Sequence, residues 1–380
     1  MVKRKVQLAC TEKSTNSHLN NMGVNMQQDK VKIKLSGVSE TLMFPLWGRV
    51  QVSKEDSSLF YDAKAIELIE KIDFDFLASD MPFVGIMLDI IRKGKLRPMF
   101  ILVALMAKQF DDEIKAYITG HPHASVVNLG AGLDATFYRV DNGTIHWYDL
   151  DLPAVIDVRR QLLPEPDRVT YIAKSLLDPS WCKDINTEDG VFITAEAVLQ
   201  FFEESEMKQF FSMLADNFPS GEIVFTSMSR SDIFREWFDM FPPEHQDSMR
   251  AAWMEALKDW WEKAPQDQKD TAIISLKTPT KPKGTKWSDL EAWGEKLSDE
   301  EKEEAMRDLV TAFSHIPSGT VGMWALKDVN EITTWDNRIT VIDQHPLCKY
   351  IPRDSLSADL RRLMEHFDVC GALNIFHLRV

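Results

Sequence analysis

The sequence predicts a doubly wound α/β fold, a Rossmann-like sheet with helices on both faces, preceded by N-terminal helices and interrupted by a helical cap. Three observations predict it. Short apolar, β-rich runs alternate with helical segments between residues 125 and 227, the pattern of strands joined by crossover helices. The first run passes straight into Gly130-Ala131-Gly132, a turn at the end of a buried strand. After Ser227 the alternation gives way to a charged, tryptophan-rich helical block, and it returns near residue 339.

Each element follows in order. Residues 1–35 are polar and without periodicity, and are expected to form a disordered arm. Residues 36–230 carry the N-terminal helices and the α/β core. Apolar residues at three- and four-residue spacing predict a helix over Val38–Lys71, with Ala63, Ile66, Ile69 and Ile72 on one face, and another over Pro98–Ile118. Strands are predicted at Ser125–Leu129, Thr144–Asp149, Val169–Ala173, Val191–Thr194 and Glu222–Ser227, with helices at Leu152–Leu162 and Glu204–Asn217. Strands so short and apolar suit a parallel sheet covered on both faces. Residues 231–315 form the insertion, expected to fold over the carboxyl edge of the sheet. Six of the eleven tryptophans fall there, which suits either an aromatic acceptor pocket or, preferably, the core of a helical cap. Residues 316–380 complete the α/β core, with strands at Ile339–Ile342 and Asn374–Val380 and a helix over Asp354–His366.

Composition narrows the function. A net charge of −15 repels phosphate backbones, so nucleic acid is not an expected partner. Cys10, Cys182, Cys348 and Cys370 form no CxxC pair, so neither a zinc ribbon nor a disulfide framework is expected, and free thiols suit a cytoplasmic protein. No apolar run approaches the roughly 20 residues that span a bilayer, and the N terminus lacks an apolar signal segment. His121-Pro122-His123 is the nearest approach to a metal pair, but it has no third ligand in view, and no metal is expected.

Three motifs point to a nucleotide-like ligand. In Gly130-Ala131-Gly132 two glycines let the backbone approach a ligand closely. The third glycine of a pyrophosphate loop is absent, Ala135 standing in its place, so a nucleoside without phosphates is preferred to a dinucleotide. About twenty residues on, Asp149 and Asp151 end the second strand. One of these carboxylates, Asp149 or Asp151, can take both ribose hydroxyls, and the other can cap the helix that begins at Pro153. Glu196 follows the fourth strand directly, at the edge where such sheets bind ligands.

With these motifs in place, the stretch from Val126 to Arg160 resembles the leucine carboxyl methyltransferase-like family, and within it the tetracenomycin polyketide O-methyltransferase branch. The resemblance continues through IAKSLLDPSW and TAEAVLQFFEESEMKQFF, takes in SGVSETLMFPLWGRV and YDAKAIELIEKIDFDF upstream, and returns at GMWALKD. It covers about residues 36–230 and 320–380 and excludes the insertion. It implies a class I methyltransferase fold, S-adenosylmethionine as cofactor, and methyl transfer to a carboxyl or hydroxyl group of a small molecule. Carried over by position, the implied cofactor contacts are Gly130 and Gly132, Asp151 with Asp149 beside it, Ser175 and Leu176 near the adenine, and Glu196. The chain departs from the family at Met106, where the family carries an arginine associated with the cofactor's carboxylate. A methionine cannot replace that charge-assisted pair; Lys64, Lys108 or Arg139 would have to compensate. The alternative is a binding protein that keeps the fold and lacks turnover.

Overall fold

A computed structural model describes residues 30–33, 42–73, 97–228, 254, 257, 258, 261–313, 324, 326, 328–354, 356–370 and 373–380. The expected N-terminal arm lies almost wholly outside these residues, as do residues 229–253 at the start of the insertion.

Helix α1 (Met43–Glu55) and helix α2 (Ala63–Lys71) occupy the span predicted as one helix. The chain breaks between them because local hydrogen bonds outcompete the helix. Asp56 accepts from the Ser58 hydroxyl and the Leu59 N–H, and Asp62 then caps α2 by accepting from the Ala65 N–H at 2.8 Å. Helix α3 (Arg97–Gly120) packs on α1, and Gly48 makes the close approach: a Cβ there would stand 3.3 Å from the Val103 side chain. A two-residue parallel bridge joins β1 (Val31–Lys32) to β2 (Ile72–Asp73).

The main sheet has seven strands: β3 (Ser125–Leu129), β4 (His146–Asp151), β5 (Val169–Ala173), β6 (Val191–Ala195), β7 (Glu222–Met228), β8 (Thr340–Pro346) and β9 (Leu373–Arg379). Their spatial order is β5-β4-β3-β6-β7-β9-β8. The first five are parallel, but β9 runs antiparallel to both β7 and β8. The sheet is therefore mixed, which corrects the expectation of a parallel one. Burial follows position. Every residue of the central strands β3 and β6 is buried, whereas the free edge strand β8 starts with three exposed residues.

Alternation along the strands divides the core in two. Val126, Trp147, Phe192 and Val224 join α1, α2, α3 and helix α5 (Pro153–Leu162) on one face. Val127, Leu150, Ile193 and Phe225 join helix α6 (Glu204–Asn217) on the other. Between β3 and α5 lies the one-turn helix α4 (Phe137–Val140). Beyond β7, helices α7 (Gln266–Ser275), α8 (Trp287–Gly294) and α9 (Asp299–Phe313) form a third cluster with Trp261, Trp287 and Trp293 inside it. Helix α10 (Asn330–Trp335) precedes β8, and helix α11 (Ala358–Cys370) precedes β9.

Candidate ligand site at the carboxyl edge

The strand order turns back between β3 and β6, so their crossover connections leave in opposite directions and open a crevice at the carboxyl ends. Of the sequence-predicted residues, all but Asp149 come to that edge. Gly130 and Gly132 follow β3, Asp151 ends β4, Ser175 and Leu176 follow β5, and Glu196 follows β6.

The glycine turn is held from both sides. Leu150 O of β4 accepts from the N–H groups of Gly130 (2.8 Å) and Ala131 (3.1 Å). Gly130 and Gly132 have φ of +65° and +48°, a region that costs other residues. A Cβ on Gly130 would lie 2.5 Å from Val198, and one on Gly132 2.7 Å from Leu42. The space that Gly130 preserves thus adjoins the chain after β6.

The two aspartates divide their work differently from the sequence expectation. Asp151 Oδ2 accepts from the Gly132 N–H at 2.8 Å and Oδ1 from the Leu152 N–H at 2.7 Å. That leaves about half of the carboxylate's acceptor capacity for a ligand. Desolvation raises its pKa. Asp149 does not cap α5, whose N-cap residue is Leu152, with no capping side chain of its own. The alternation of β4 instead turns Asp149 into the core, where it is 1% exposed. There it accepts from Trp147 Nε1, Asn128 Nδ2, and Arg159 Nε and Nη2, the last at 2.5 Å. Burial works against the charge on Arg159, but Asp149 outweighs it and raises the guanidinium pKa. Arg159 Nη1 also donates to Gly132 O (3.0 Å) and Asp134 O (2.7 Å). The Asp149–Arg159 pair therefore clamps the carbonyl side of the glycine turn. Sequence reasoning missed Arg159, although it falls on the buried face of α5 with Val155, Ile156 and Leu162.

Ser175 is half-buried, and its hydroxyl oxygen accepts from the Leu177 N–H. Leu176 is buried in the core, and its carbonyl accepts from Trp181 Nε1. Glu196 differs from these: its carboxyl has no hydrogen bond among the described residues. Burial, followed by the charge of Asp134, pushes its pKa up to about 8, against the pull of Arg49 and Arg139. Ala197 next to it has φ +53°, and the turn is fixed by its N–H donating to Thr226 Oγ1 at 2.8 Å.

A buried charge cluster separates this edge from α2 and α3. Arg139 makes a two-pronged pair with Asp111 (2.8 and 2.9 Å) and reaches Asp62 at 2.6 Å. Asp134 lies 3.6 Å from Arg139 and 3.9 Å from Arg49; burial opposes its charge, yet the arginines hold its pKa down near 2. Arg49 is 2% exposed. Its Nη2 donates to Leu133 O at 3.1 Å, while its buried Nε stands 3.2 Å from Asp62 without the alignment of a hydrogen bond. Met106 is buried in the apolar cluster of α1 and α3. Of the three residues expected to compensate for it, Lys64 is paired with Glu67, Lys108 with Asp112, and Arg139 is committed to Asp62 and Asp111. Arg49, which the sequence reading passed over, retains donors beside the glycine turn.

Among the described residues no group of three or more His, Cys, Asp or Glu side chains is placed to hold a metal, and no helix is long and apolar enough to cross a membrane. Cys182 and Cys348 are buried.

Residues 43–215 match the model of the leucine carboxyl methyltransferase family. Over 197 residues, 52% of this chain and 68% of the relative, the sequence is 27% identical to the tetracenomycin polyketide synthesis O-methyltransferase of Streptomyces glaucescens. It is 25% identical over 214 residues to an S-adenosyl-L-methionine-dependent methyltransferase of Gibberella zeae, covering 52% of this chain and 68% of that one. Among solved structures it resembles an O-methyltransferase family protein from Burkholderia thailandensis, at 12% identity and a TM-score of 0.35, over 78% of this chain and 71% of that one.

Proposed function

We propose that this chain, which matches the leucine carboxyl methyltransferase family over residues 43–215, is an S-adenosylmethionine-dependent methyltransferase that delivers the methyl group to a carboxyl or hydroxyl oxygen of a small molecule. The observation that carries this reading is the left-handed Gly130–Gly132 turn standing between two carboxyl groups with acceptor capacity to spare, Asp151 and Glu196. The turn has no room for side chains, since a Cβ on Gly130 would strike Val198 and one on Gly132 would strike Leu42, so it presents bare backbone at the carboxyl edge. Asp151 would take the ribose hydroxyls. Glu196 would face the positive end of the cofactor. Ser175 and Leu176 would border the base, and Arg49 would meet the carboxylate in place of an arginine at position 106.

When bound, S-adenosylmethionine supplies a methyl group activated by its sulfonium. The chain's own contribution is then alignment and exclusion of water rather than covalent chemistry. The glycine turn and its Arg159 clamp fix the nucleoside end, and the hydrogen-bonded turn at Ala197 fixes the chain after β6 opposite it. A carboxylate acceptor is already ionised at neutral pH; a hydroxyl has a proton to lose. Small molecules remain the acceptor class that fits an acidic chain, and the buried thiols fit a reducing cytoplasm.

Calorimetric titration with S-adenosylmethionine, S-adenosylhomocysteine and NAD tests the reading. Binding of the first two at micromolar concentration, on the order of −8 kcal/mol, supports it. Preference for NAD, or no binding at millimolar concentration, refutes it. Met106 favours one rival, a binding protein without turnover; tight cofactor binding with no methylated product from any acceptor would establish that instead.

A further inference from the structure

Arg49 and Arg139 share one buried carboxylate, that of Asp62, but it holds them differently. Arg139 Nη1 donates to Asp62 Oδ2 at 2.6 Å, its Nε and Nη2 donate to Asp111, and Nη2 also reaches Thr136 Oγ1 at 2.6 Å. Every nitrogen of that guanidinium is engaged. Arg49 Nε stands 3.2 Å from the same Oδ2 but out of line for a hydrogen bond, and only its Nη2 donates, to Leu133 O at 3.1 Å. Among the described residues Arg49 Nη1 has no hydrogen bond. Asp62 thus holds Arg49 by charge and leaves its donors uncommitted. Native proteins seldom keep such buried donors unless a ligand or water completes them.

Asp62 is itself fixed in register with Arg49. The Ser53 hydroxyl donates to Arg49 O at 2.7 Å and accepts from the Asp62 N–H at 2.9 Å, so one side chain of α1 bridges the two backbones. Asp62 Oδ1 is taken by the Ala65 N–H at the start of α2, which leaves Oδ2 for the arginines. Asp134 is the weaker anchor: it lies 3.9 Å from Arg49, is closer to Arg139, and is only half-buried. The far end of Arg49 belongs to the ligand site by two observations. Leu133, whose carbonyl it bonds, directly follows Gly132, and its charge pulls on Glu196 after β6.

We propose that Asp62 is a positioning residue, holding Arg49 beside the glycine turn with donors free for the carboxylate at the amino-acid end of the cofactor. This deepens the methyl-transfer reading and rests on it. The physical advantage is preorganisation. An arginine free in solution loses the freedom of a long side chain when it pairs with a ligand, whereas one already restrained by Asp62 and Leu133 O has less to lose.

Calorimetry tests this with two ligands, S-adenosylhomocysteine and methylthioadenosine, which keeps the nucleoside and the thioether but lacks the amino-acid end. The proteins are the wild type, Asp62→Asn, Arg49→Met, the double variant and Ser53→Ala. Asparagine keeps the size and the capping oxygen of Asp62, so α2 retains its start. The ratio of the two affinities is the readout, because a merely structural defect weakens both ligands alike. The wild type is expected to prefer S-adenosylhomocysteine. Asp62→Asn should lower that preference about tenfold and leave affinity for methylthioadenosine within about twofold. Arg49→Met should lower it at least as far, and adding Asp62→Asn to Arg49→Met should lower it no further, as for two residues that act through one contact. Ser53→Ala keeps both charges and breaks only the bridge; it should lower the preference by about threefold or more, and it decides the matter if Asp62→Asn does not fold. A wild type without the preference, a preference that survives Asp62→Asn or Arg49→Met, or both ligands weakened together overturns the proposal. A further fall in the double variant, or a preference unchanged in Ser53→Ala, overturns it too. Wild-type protein that binds neither ligand removes the methyl-transfer reading itself; binding of both with a ratio indifferent to Asp62 removes this inference alone.

Discussion

At the scale of single residues, Glu196 gives the sharpest test. Its carboxyl, at about 8 in the fold, has an ordinary value of 4.5 in the open chain. A raised carboxyl pKa lends stability that is whole below pH 4.5 and is lost as pH rises toward 8. Glu196→Gln should therefore be more stable than wild type at pH 8, by on the order of 2–4 kcal/mol, and no more stable at pH 4.5; urea midpoints at the two pH values measure this. A positively charged ligand beside Glu196 should also expel its proton at pH 7. Titrations in buffers of different ionisation heat should show up to about one proton released, and none in Glu196→Gln.

The aspartates separate by what they hold. Asp151→Ala should weaken cofactor binding by roughly 1.5–3 kcal/mol with little loss of stability. Asp149→Ala should instead strand Arg159 in the core at a cost of about 3–5 kcal/mol, seen in denaturant unfolding without any ligand. A variant at Asp149 that binds weakly but unfolds like wild type would contradict the clamp. Met106→Arg is expected from the sequence to tighten cofactor binding. In the structure the new charge enters the apolar packing of α1 and α3, so a lowered unfolding midpoint should be its first consequence.

At the scale of elements, the glycine turn has a neighbour that its motif does not reveal. From the sequence, a side chain at Gly130 would fill the space of the nucleoside. In the fold it would first strike Val198, in a backbone region that disfavours it. Gly130→Ala should thus already disturb the segment after β6 and weaken cofactor binding at least about tenfold. Equal binding by that variant in calorimetry would show that the turn can give way. The strands were legible because their apolar runs and bounding turns are local: β3 and β5 match their predicted bounds, and β4, β6 and β7 shift by one or two residues. The break between α1 and α2 was legible only in part. The apolar spacing of Ala63 to Ile72 continues the helical period, while the Asp56 and Asp62 caps that interrupt it depend on how the side chains turn.

At the scale of the whole molecule, the tryptophan-rich block has a core of its own. Trp261, Trp287 and Trp293 are buried in it, and each ring N–H meets a partner: Thr285 O, Glu291 and Thr280. For these three tryptophans the reading as a cap's core suits better than an aromatic pocket; Trp237, Trp253 and Trp260 lie outside the described residues. Trp261→Ala should cost about 3–5 kcal/mol within the block. If the block melts apart from the sheet, thermal unfolding should show one transition moving down and the other staying in place.

The sequence by itself determined the features that depend on neighbours along the chain: the alternation of strand and helix, the glycine turn, the acids that end β4 and follow β6, and the family resemblance these carry. Tertiary structure alone decided which partner each polar group meets. The reversed β9, the buried Asp149–Arg159 clamp and the Arg49–Asp62–Asp134 cluster all join residues distant in sequence or depend on which face of an element they occupy. A side chain's type limits what it can bond, but only packing fixes which water it loses and what replaces it.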